Sequence, residues 1–386
     1  MADKVYQIHD QETNTDINII NPSFYGPAIP QQDTAYKEDN CSLDMNGEKF
    51  KVEFNYPDKP TEDYQVSMWE TVDNFETVAW SPKSKGVKTN FPTIDKAFDG
   101  GITPQAFIII AGISNIGKTA LLSQMAWQIA TAKDDQGNYL NDAYVMDFSL
   151  DDSMADKLSR VAAASGKIVI NSVKTPLNYT QYPLMLIRRK KALIEIRNNT
   201  DRYRAYDATF STFIEDIEEE IIRMQTYFKS NHIDKQIVVC IDNFHDLNTT
   251  VKPNMSDKEK YDFMAQWCSD VAIKYGIIML CTGELKKLNA TRRPIGDDIR
   301  ESVKIQYEAK ALLLVYNEVH YKGENANIYY MKKNNPFKQP IFEVHFIKNK
   351  LGPYKGRVFF KFFPEMALME ECDENTQKNF TNLLYT

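Results

Sequence analysis

The segment from Gly112 to Thr119 has the residue types and the spacing of a phosphate-binding loop, GxxxxGK[ST]. In such a loop the backbone N–H groups surround the phosphates, Lys118 supplies a positive charge for the β- and γ-phosphates, and the Thr119 hydroxyl is a ligand for Mg²⁺. The preceding run 107–111 is continuously apolar, as in a strand buried on both faces, and residues 120–131 are typical of a helix. This strand–loop–helix order predicts a site for a nucleoside triphosphate. The predicted nucleotide-binding residues are Gly112, Ile113, Ser114, Asn115, Ile116, Gly117, Lys118 and Thr119.

Two further apolar runs end in carboxylates. Run 237–241 is followed by Asp242, which in a P-loop fold holds the water shell of the Mg²⁺ ion. Run 143–148 is followed by Ser-Leu-Asp-Asp, and a carboxylate of this segment is suited to lie beside the γ-phosphate and orient the attacking water. The alternative is structural, because Asp151 or Ser153 is equally suited to cap a helix over residues 154–164. The spacing alone leaves both interpretations open.

The composition excludes several classes of protein. The chain has 386 residues, of which 43% are hydrophobic and 26% charged, so it is too apolar to be disordered throughout. No apolar run approaches the roughly 18–20 residues that cross a bilayer. The five cysteines, an odd number without CxxC spacing, argue against a disulfide framework or a zinc site. They favour a reducing, cytoplasmic location.

Charge is distributed unevenly along the chain. Residues 1–80 contain 5 Lys and Arg against 16 Asp and Glu, whereas residues 281–361 contain 16 against 8. A basic C-terminal third suggests a local site for a polyanion, with an ordinary solvated face as the alternative.

The pattern divides the chain into residues 1–85, 86–370 and 371–386. Residues 1–40 are predicted to be an extended arm, and Asn46-Gly47 predicts a hairpin turn before alternating apolar residues at 50–56. We expect the acidic leader either to pack its 41–56 hairpin on the core or on a neighbouring subunit, as an assembly strap, or to act as a polyanion mimic that competes for the basic site. Segment 81–88 is predicted to be a linker and 371–386 a short tail. From residue 90 onward, buried strands alternate with helices, which indicates an α/β fold.

The order of motifs resembles the RecA-like C-terminal domain of DnaB-family replicative helicases. Apart from the P-loop, the matching segments are 89–95 with Gly100 and Gly101, 148–151 (Phe-Ser-Leu-Asp), 238–242, 283–285, 298–302 (Asp-Ile-Arg-Glu-Ser) with the strand 311–316, and 348–353 with 356 and 363–365. The resemblance implies an α/β, RecA-like P-loop NTPase core with a mostly parallel central sheet over residues 86–370, preceded by the small β-hairpin leader. It implies ATP and Mg²⁺ as cofactors, single-stranded DNA as partner and a ring of six identical subunits.

The resemblance also implies roles for individual residues. Asp151 takes the place of the catalytic glutamate, Arg160 lies near the nucleotide, and Glu284 senses the γ-phosphate. Lys348 and Lys350 reach into the neighbouring subunit's nucleotide site, as an arginine finger does. The residues expected near DNA are Lys286, Lys287, Arg292, Arg293, Arg300 and Glu301.

A second candidate DNA segment follows Asp242. Lys252, Lys258 and Lys260 flank it, but Ser256 and Glu259 have the spacing of a capping box. We therefore expect a helix over residues 257–274, with only the preceding loop near DNA.

The sequence departs from the family pattern at four positions. Asp151 replaces Glu, Glu284 replaces Gln, Lys350 replaces the arginine finger and Val303 replaces a Gly of the DNA loop. The leader does not resemble the helical domain that docks primase in this family, so primase recruitment is not implied, and the minimal form is suited to a phage or mobile element. Two alternatives to a helicase stay open: a RecA-superfamily DNA-binding ATPase without helicase activity, and a clamp that assembles on ATP and turns over slowly.

Overall fold

The computed structural model describes residues 5–10, 15–20, 42–45, 48–53, 63–80, 82–252, 254–286, 292–299, 303–333 and 335–385. The chain divides into two compact units, Met1–Thr77 and Val78–Thr386. Among the described residues, no helix combines the length and the apolar character that crossing a bilayer requires.

The first unit contains an antiparallel sheet with the strand order β1-β2-β4-β3. Its strands are β1 (Val5–Asp10), β2 (Thr15–Ile20), β3 (Ser42–Met45) and β4 (Glu48–Glu53). The hairpin is present, since β3 pairs with β4 on either side of residues 46–47, which themselves lie outside the described residues, as do Phe54 and Tyr56. The prediction of an extended arm over 1–40 is wrong for β1 and β2, because these two strands hydrogen-bond to each other along their whole length.

Helix α1 (Asp63–Ala79) was not predicted. Met68, Val72 and Phe75 recur at the i, i+4 and i+7 positions of one helical face, although each is exposed. The predicted linker 81–88 is partly structured, because Pro82–Lys85 form a 3₁₀ turn and Val87 exchanges two 2.8 Å backbone hydrogen bonds with Ile102.

The second unit is built on one large sheet. Its strands are β5 (Ala106–Gly112), β6 (Ala143–Ser149), β7 (Tyr203–Tyr206), β8 (Gln236–Asp242), β9 (Ile278–Glu284), β10 (Ala311–Asn317), β11 (Tyr329–Met331), β12 (Lys338–Asn349), β13 (Arg357–Phe363) and β14 (Leu368–Glu371). Its helices are α2 (Pro92–Ala97), α3 (Lys118–Thr131), α4 (Met154–Gly166), α5 (Ile170–Lys174), α6 (Pro183–Asn198), α7 (Ile214–Ser230), α8 (Asp257–Lys274), α9 (Val303–Glu308), α10 (Glu318–Lys322) and α11 (Glu374–Tyr385).

The strand order is β14-β13-β12-β10-β5-β9-β8-β6-β7, with β11 paired to β12. The strands from β10 to β7 are parallel, and β12, β13 and β14 extend the sheet in antiparallel fashion. Parallel strands need both faces covered. Accordingly Ile108 and Ile110 of β5 pack with α3 on one face, while Phe107 and Ile109 pack in a second core with α7 and α8 on the other. This arrangement is the expected α/β, mostly parallel fold.

Helix ends follow local side-chain chemistry. Ser256 and Glu259 form the predicted capping box, and α8 runs over the predicted residues 257–274. The Ser153 hydroxyl accepts the Asp156 N–H at 3.2 Å and so caps α4. The predicted tail is a helix instead, because Phe380 of α11 packs its ring 5.5 Å from Phe359 of β13.

Candidate active site

The carboxyl ends of four parallel strands meet at one edge of the sheet. The strand register pairs Gly112 of β5 with Glu284 of β9, and Ser149 of β6 with Asp242 of β8. In open α/β sheets, ligands bind at this edge. The predicted phosphate loop and the predicted carboxylates therefore arrive at the same place.

Two glycines of the loop occupy positions where a side chain does not fit. A Cβ on Gly112 would lie 2.5 Å from Val315 Cγ2, so β5 and β10 could not approach as they do. Gly117 has a φ of +120° and opens α3, and a Cβ placed there would lie only 3.0–3.1 Å from the rings of Phe342 and Phe362. The loop thus delivers the N-terminus of α3, where backbone N–H groups and the helix dipole favour phosphate.

Lys118 is 8% exposed, and its Nζ donates a 2.8 Å hydrogen bond to the Ile113 carbonyl inside the loop. Burial lowers its pKa, and the charges of Glu284, Asp242 and Asp151 oppose that change in this order. The ammonium group is therefore held in the middle of the loop and surrounded by the carboxylates predicted for the site.

Carboxylate oxygens of Asp151, Asp152 and Asp242 lie within 4.8 Å of one another, close enough to bind one cation. Oxygen donors are the ligands that Mg²⁺ prefers. The Thr282 hydroxyl donates a hydrogen bond to Asp242 Oδ1 and orients that side chain. Asp152 was not predicted as a ligand, and here it forms an ion pair with the predicted nucleotide residue Arg160.

Asp151 is not needed as a helix cap, since Ser153 fills that position. Burial raises the pKa of the Asp151 carboxyl to about 6, and the nearby charges of Asp242, Asp152 and Asp246 act in the same direction. A carboxyl group with this pKa changes protonation close to neutral pH, as a group that accepts a proton from water must.

Helix α4 is fixed by a buried ion pair beneath the site. Lys157 Nζ donates to Asp147 Oδ1 at 2.7 Å, and the Tyr203 hydroxyl donates to Asp147 Oδ2 at 2.7 Å. Both charged side chains are fully buried. The pair joins α4 to β6 two residues before that strand ends, and so sets the position of Arg160 relative to Asp151.

Sequence reasoning missed the roles of His245 and Asp246. His245 Nδ1 accepts the Glu284 N–H at 3.1 Å, and its ring packs 4.6 Å from Tyr261. Burial raises the pKa of Asp246, with the charges of Glu284 and Asp242 acting in the same direction. Their only signal in the sequence was closeness to Asp242, which does not reveal that His245 bonds to the end of β9 or that Asp246 lies near the charge of Glu284.

Comparison with known proteins identifies the fold and the family. Residues 86–371 match the family described as DnaB-like helicase C terminal domain. The chain belongs to this DnaB-like helicase family. Similar solved structures include one described as an "ATPase Domain", with 21% identity, a TM-score of 0.62 and coverage of 82% of this chain and 100% of that chain. Another is "The Structure Of A DnaB-Like Replicative Helicase And Its Interactions With Primase", with 19% identity, a TM-score of 0.61 and coverage of 83% and 68%. No curated protein sequence matches the chain.

Membership of the DnaB-like helicase family defines the activity as ATP hydrolysis by a DNA helicase. The RecA-like fold seen in the sheet order agrees with the two solved structures. The remaining predicted residues fall into two groups, one at the opposite edge of the sheet and one beyond β9.

Lys348 and Lys350 lie at the amino edge of the parallel strands. The Lys350 N–H donates to the Lys310 carbonyl, and the Lys310 N–H donates to the carbonyl of Phe107 at the start of β5. A seven-residue strand spans about 20 Å, so Lys350 is far from the phosphate loop of its own subunit. Lys348 Nζ donates to the carbonyls of Gln306 and Tyr307 at 2.5 and 2.8 Å, at the end of α9.

The residues predicted to lie near DNA differ in the groups that they contact. Arg292 donates to both oxygens of Asp298 at 2.7 and 2.6 Å, and Arg293 donates to both oxygens of Glu343 at 2.8 and 2.6 Å. Lys286 Nζ lies 3.4 Å from the Asp297 carbonyl. Lys287, Arg300 and Glu301 lie outside the described residues. The two arginines thus direct their guanidinium groups at carboxylates of their own chain, a pairing that charge counting along the sequence does not reveal.

Proposed function

We propose that this DnaB-like helicase assembles as a homo-hexameric ring, hydrolyses ATP with Mg²⁺ at its subunit interfaces, and moves along single-stranded DNA during DNA replication. The observation that carries the proposal is the separation of the two cationic groups. Lys118 lies among carboxylates at one edge of the sheet, and Lys350 lies about 20 Å away at the other. If Lys350 acts on ATP, it acts on the ATP bound by a neighbouring subunit.

Within one subunit, Lys118 and the backbone of the loop 112–119 hold the phosphates. Thr119 and Asp242 hold the Mg²⁺, which neutralises charge on the β- and γ-phosphates when it is bound. Asp151 accepts a proton from the attacking water, a role supported by its raised pKa. Arg160, held by Asp152, faces the nucleotide, and Glu284 responds to the γ-phosphate.

On the DNA side, we assign the phosphate contacts to Lys286, Lys287 and Arg300, with Glu301 in the same loop. Arg292 acts through an ion pair with Asp298 of its own segment, and Arg293 holds that segment against Glu343 of β12. Phosphate contacts of this kind give an affinity that falls steeply with salt.

Steady-state ATP hydrolysis with and without single-stranded DNA, measured beside strand displacement on a 5′-tailed fork, tests the proposal. A ring translocase gives DNA-stimulated hydrolysis and unwinding. An ATPase without helicase activity gives hydrolysis alone, and a clamp gives ATP-dependent assembly with little of either; both results would contradict the proposal.

Mixing two inactive variants tests the shared site. Lys350→Ala removes the cation in trans and Asp151→Asn removes the proton acceptor in cis, so each alone is expected to lose hydrolysis. In mixed rings some interfaces hold both intact residues, and activity is expected to recover with the mixing ratio. Absence of recovery at every ratio, with mixed rings verified by mass, would argue that each subunit hydrolyses ATP without its neighbour. Lys350→Arg is expected to hydrolyse faster, because a guanidinium can bind phosphate through two hydrogen bonds.

A further inference from the structure

The segment 207–215, which joins β7 to α7 and includes the first two residues of that helix, contacts the loop that carries Asp151. Its first residue, Asp207, accepts the N–H of Met154 through Oδ2 at 3.0 Å, and Met154 is the first residue of α4. The next residue, Ala208, donates its N–H to the Asp152 carbonyl at 3.1 Å. Asp207 Oδ1 accepts the N–H and the hydroxyl of Thr209 at 3.1 and 2.6 Å, which fixes the carboxylate. One end of the segment is therefore attached to the Asp151–Asp152 turn.

The other end of the segment is attached to the loop that follows Asp242. The Asn248 N–H donates to the Thr212 carbonyl at 2.8 Å, and the Ile214 N–H donates to the Asn248 carbonyl at 2.9 Å. Glu215 Oε1 accepts the Thr249 hydroxyl at 2.6 Å and the N–H and hydroxyl of Thr250 at 2.9 and 3.1 Å. One carboxylate oxygen thus fixes two successive residues of that loop.

The contacted loop, residues 246–256, of which Pro253 lies outside the described residues, is the segment before α8 that the sequence predicts to lie near DNA. Asn248 Oδ1 accepts from Lys260 Nζ of α8 at 2.8 Å, and exposed Lys252 lies 5.7 Å from the Phe263 ring of the same helix. The loop begins at Asp246, close to the charges of Asp242 and Glu284. A displacement of this loop would change the hydrogen bonds to segment 207–215 and, through Asp207 and Ala208, the turn that presents Asp151.

We infer that Asp207 and Glu215 are positioning residues whose hydrogen bonds couple the loop 246–256 to the Asp151–Asp152 turn, so that DNA binding accelerates ATP hydrolysis and ATP binding tightens DNA binding. The inference rests on the proposed function, because it requires DNA to act on the 246–256 loop. Coupling of this kind is a free energy shared between two sites and is reciprocal. Neither residue is among those assigned to hold the nucleotide, so the effect is transmitted through Asp151.

The test compares Glu215→Ala and Asp207→Ala with the wild-type ring. Two quantities are measured: the stimulation of ATP hydrolysis by an oligo-dT strand, and the ratio of oligo-dT affinities with and without a non-hydrolysable ATP analogue. We expect both to fall from the fivefold or greater range typical of allosteric coupling to less than about twofold. Hydrolysis without DNA and oligo-dT affinity without nucleotide should stay within about twofold of wild type for Glu215→Ala. Glu219→Ala, one turn along α7 at an exposed position, is the matched control.

Two further variants separate coupling from a loss of structure. Glu215→Gln keeps the Oε1 acceptor and should retain the coupling, and Thr249→Val removes one bond to Glu215 with little change in shape, so it should weaken the coupling even if Glu215→Ala does not fold. The double variant Asp207→Ala/Glu215→Ala should lose no more coupling than either single variant, since both interrupt one connection. Full coupling in folded Glu215→Ala and Asp207→Ala rings, or additive losses in the double variant, would overturn the inference. A wild-type ring without any DNA stimulation would instead contradict the proposed function, and the inference with it.

Discussion

The nucleotide edge and the basic segment 286–299 both contain cationic side chains, but the cations are placed differently in the two regions. Lys118 is held inside a loop of backbone N–H groups and faces carboxylates suited to a metal ion. Arg292 and Arg293 instead donate to both oxygens of Asp298 and Glu343, respectively. The comparison shows that a local motif predicts the surroundings of a cationic side chain. A surplus of Lys and Arg along the chain does not predict which of them are paired with carboxylates.

The largest effect is expected at Lys118. Lys118→Ala removes the charge proposed to bind the β- and γ-phosphates, and should lower kcat for ATP hydrolysis by at least about 100-fold, the effect of losing one preorganised electrostatic contact. Thermal unfolding should show an intact fold, with exposed Lys96→Ala as the control. Near-normal hydrolysis by the purified variant would show that Lys118 has no part in the mechanism. It would also contradict the claim that the loop motif defines the role of this cation.

A variant of Arg293 tests the basic segment 286–299. Its partner Glu343 is 1% exposed, so Arg293→Met leaves a buried carboxylate without its main charge partner and should cost about 3–5 kcal/mol in the free energy of unfolding. Urea denaturation measures this value, and Arg293→Met/Glu343→Met should recover much of it. An unchanged free energy of unfolding together with weaker single-stranded DNA binding would show that the guanidinium binds phosphate instead.

The site was predictable where its chemistry is local in sequence. The loop 112–119, Asp242 and the capping box of α8 combine residue type and spacing within a few positions, and the structure places each at the predicted end of its strand or helix. The choice between Asp151 and Ser153 as helix cap needed geometry, because both side chains can accept an N–H. The hydrogen bond between Ser153 and Asp156 decides it.

The rest depends on partners distant in sequence. Glu343 lies 50 residues from Arg293, and the pairing arises only when β12 joins the sheet beside β10. Asp207 was overlooked for the same reason, since its partner at the start of α4 is 53 residues away. Helix α1 was missed because its apolar residues lie beside many acidic ones, and the acidic composition of the leader obscured the helical spacing.

Asp151 gives a prediction of intermediate size. Its pKa is raised to about 6, and the proposed mechanism needs the ionised form, so kcat/KM should be constant above neutral pH and fall up to about tenfold per pH unit below 6. Asp242→Asn is unsuitable as a probe because it removes the proposed metal ligand. Asp246→Asn instead removes one of the charges that raise the pKa of Asp151 and should shift the midpoint to lower pH. A profile that stays flat to pH 5 would argue that Asp151 does not accept the proton.

The smallest effect is expected at Lys286. It tests whether cations of the basic segment with and without a carboxylate partner differ in their contribution to DNA binding. Its Nζ makes a long contact of 3.4 Å with the Asp297 carbonyl and forms no ion pair with a carboxylate among the described residues. Its charge therefore remains available to DNA phosphates. Lys286→Ala should reduce the slope of log affinity against log salt by about 0.7 for single-stranded DNA, as expected for one lost phosphate contact, without altering thermal stability. Fluorescence anisotropy across a salt series measures the slope, with exposed Lys229→Ala on α7 as control.

Arg292→Ala should show the opposite pattern: protein stability falls because Asp298 loses its partner, and the slope changes less. If Lys286 and Arg292 gave equal slopes and equal stabilities, the ion pairs seen in this segment would have no bearing on which cations meet DNA.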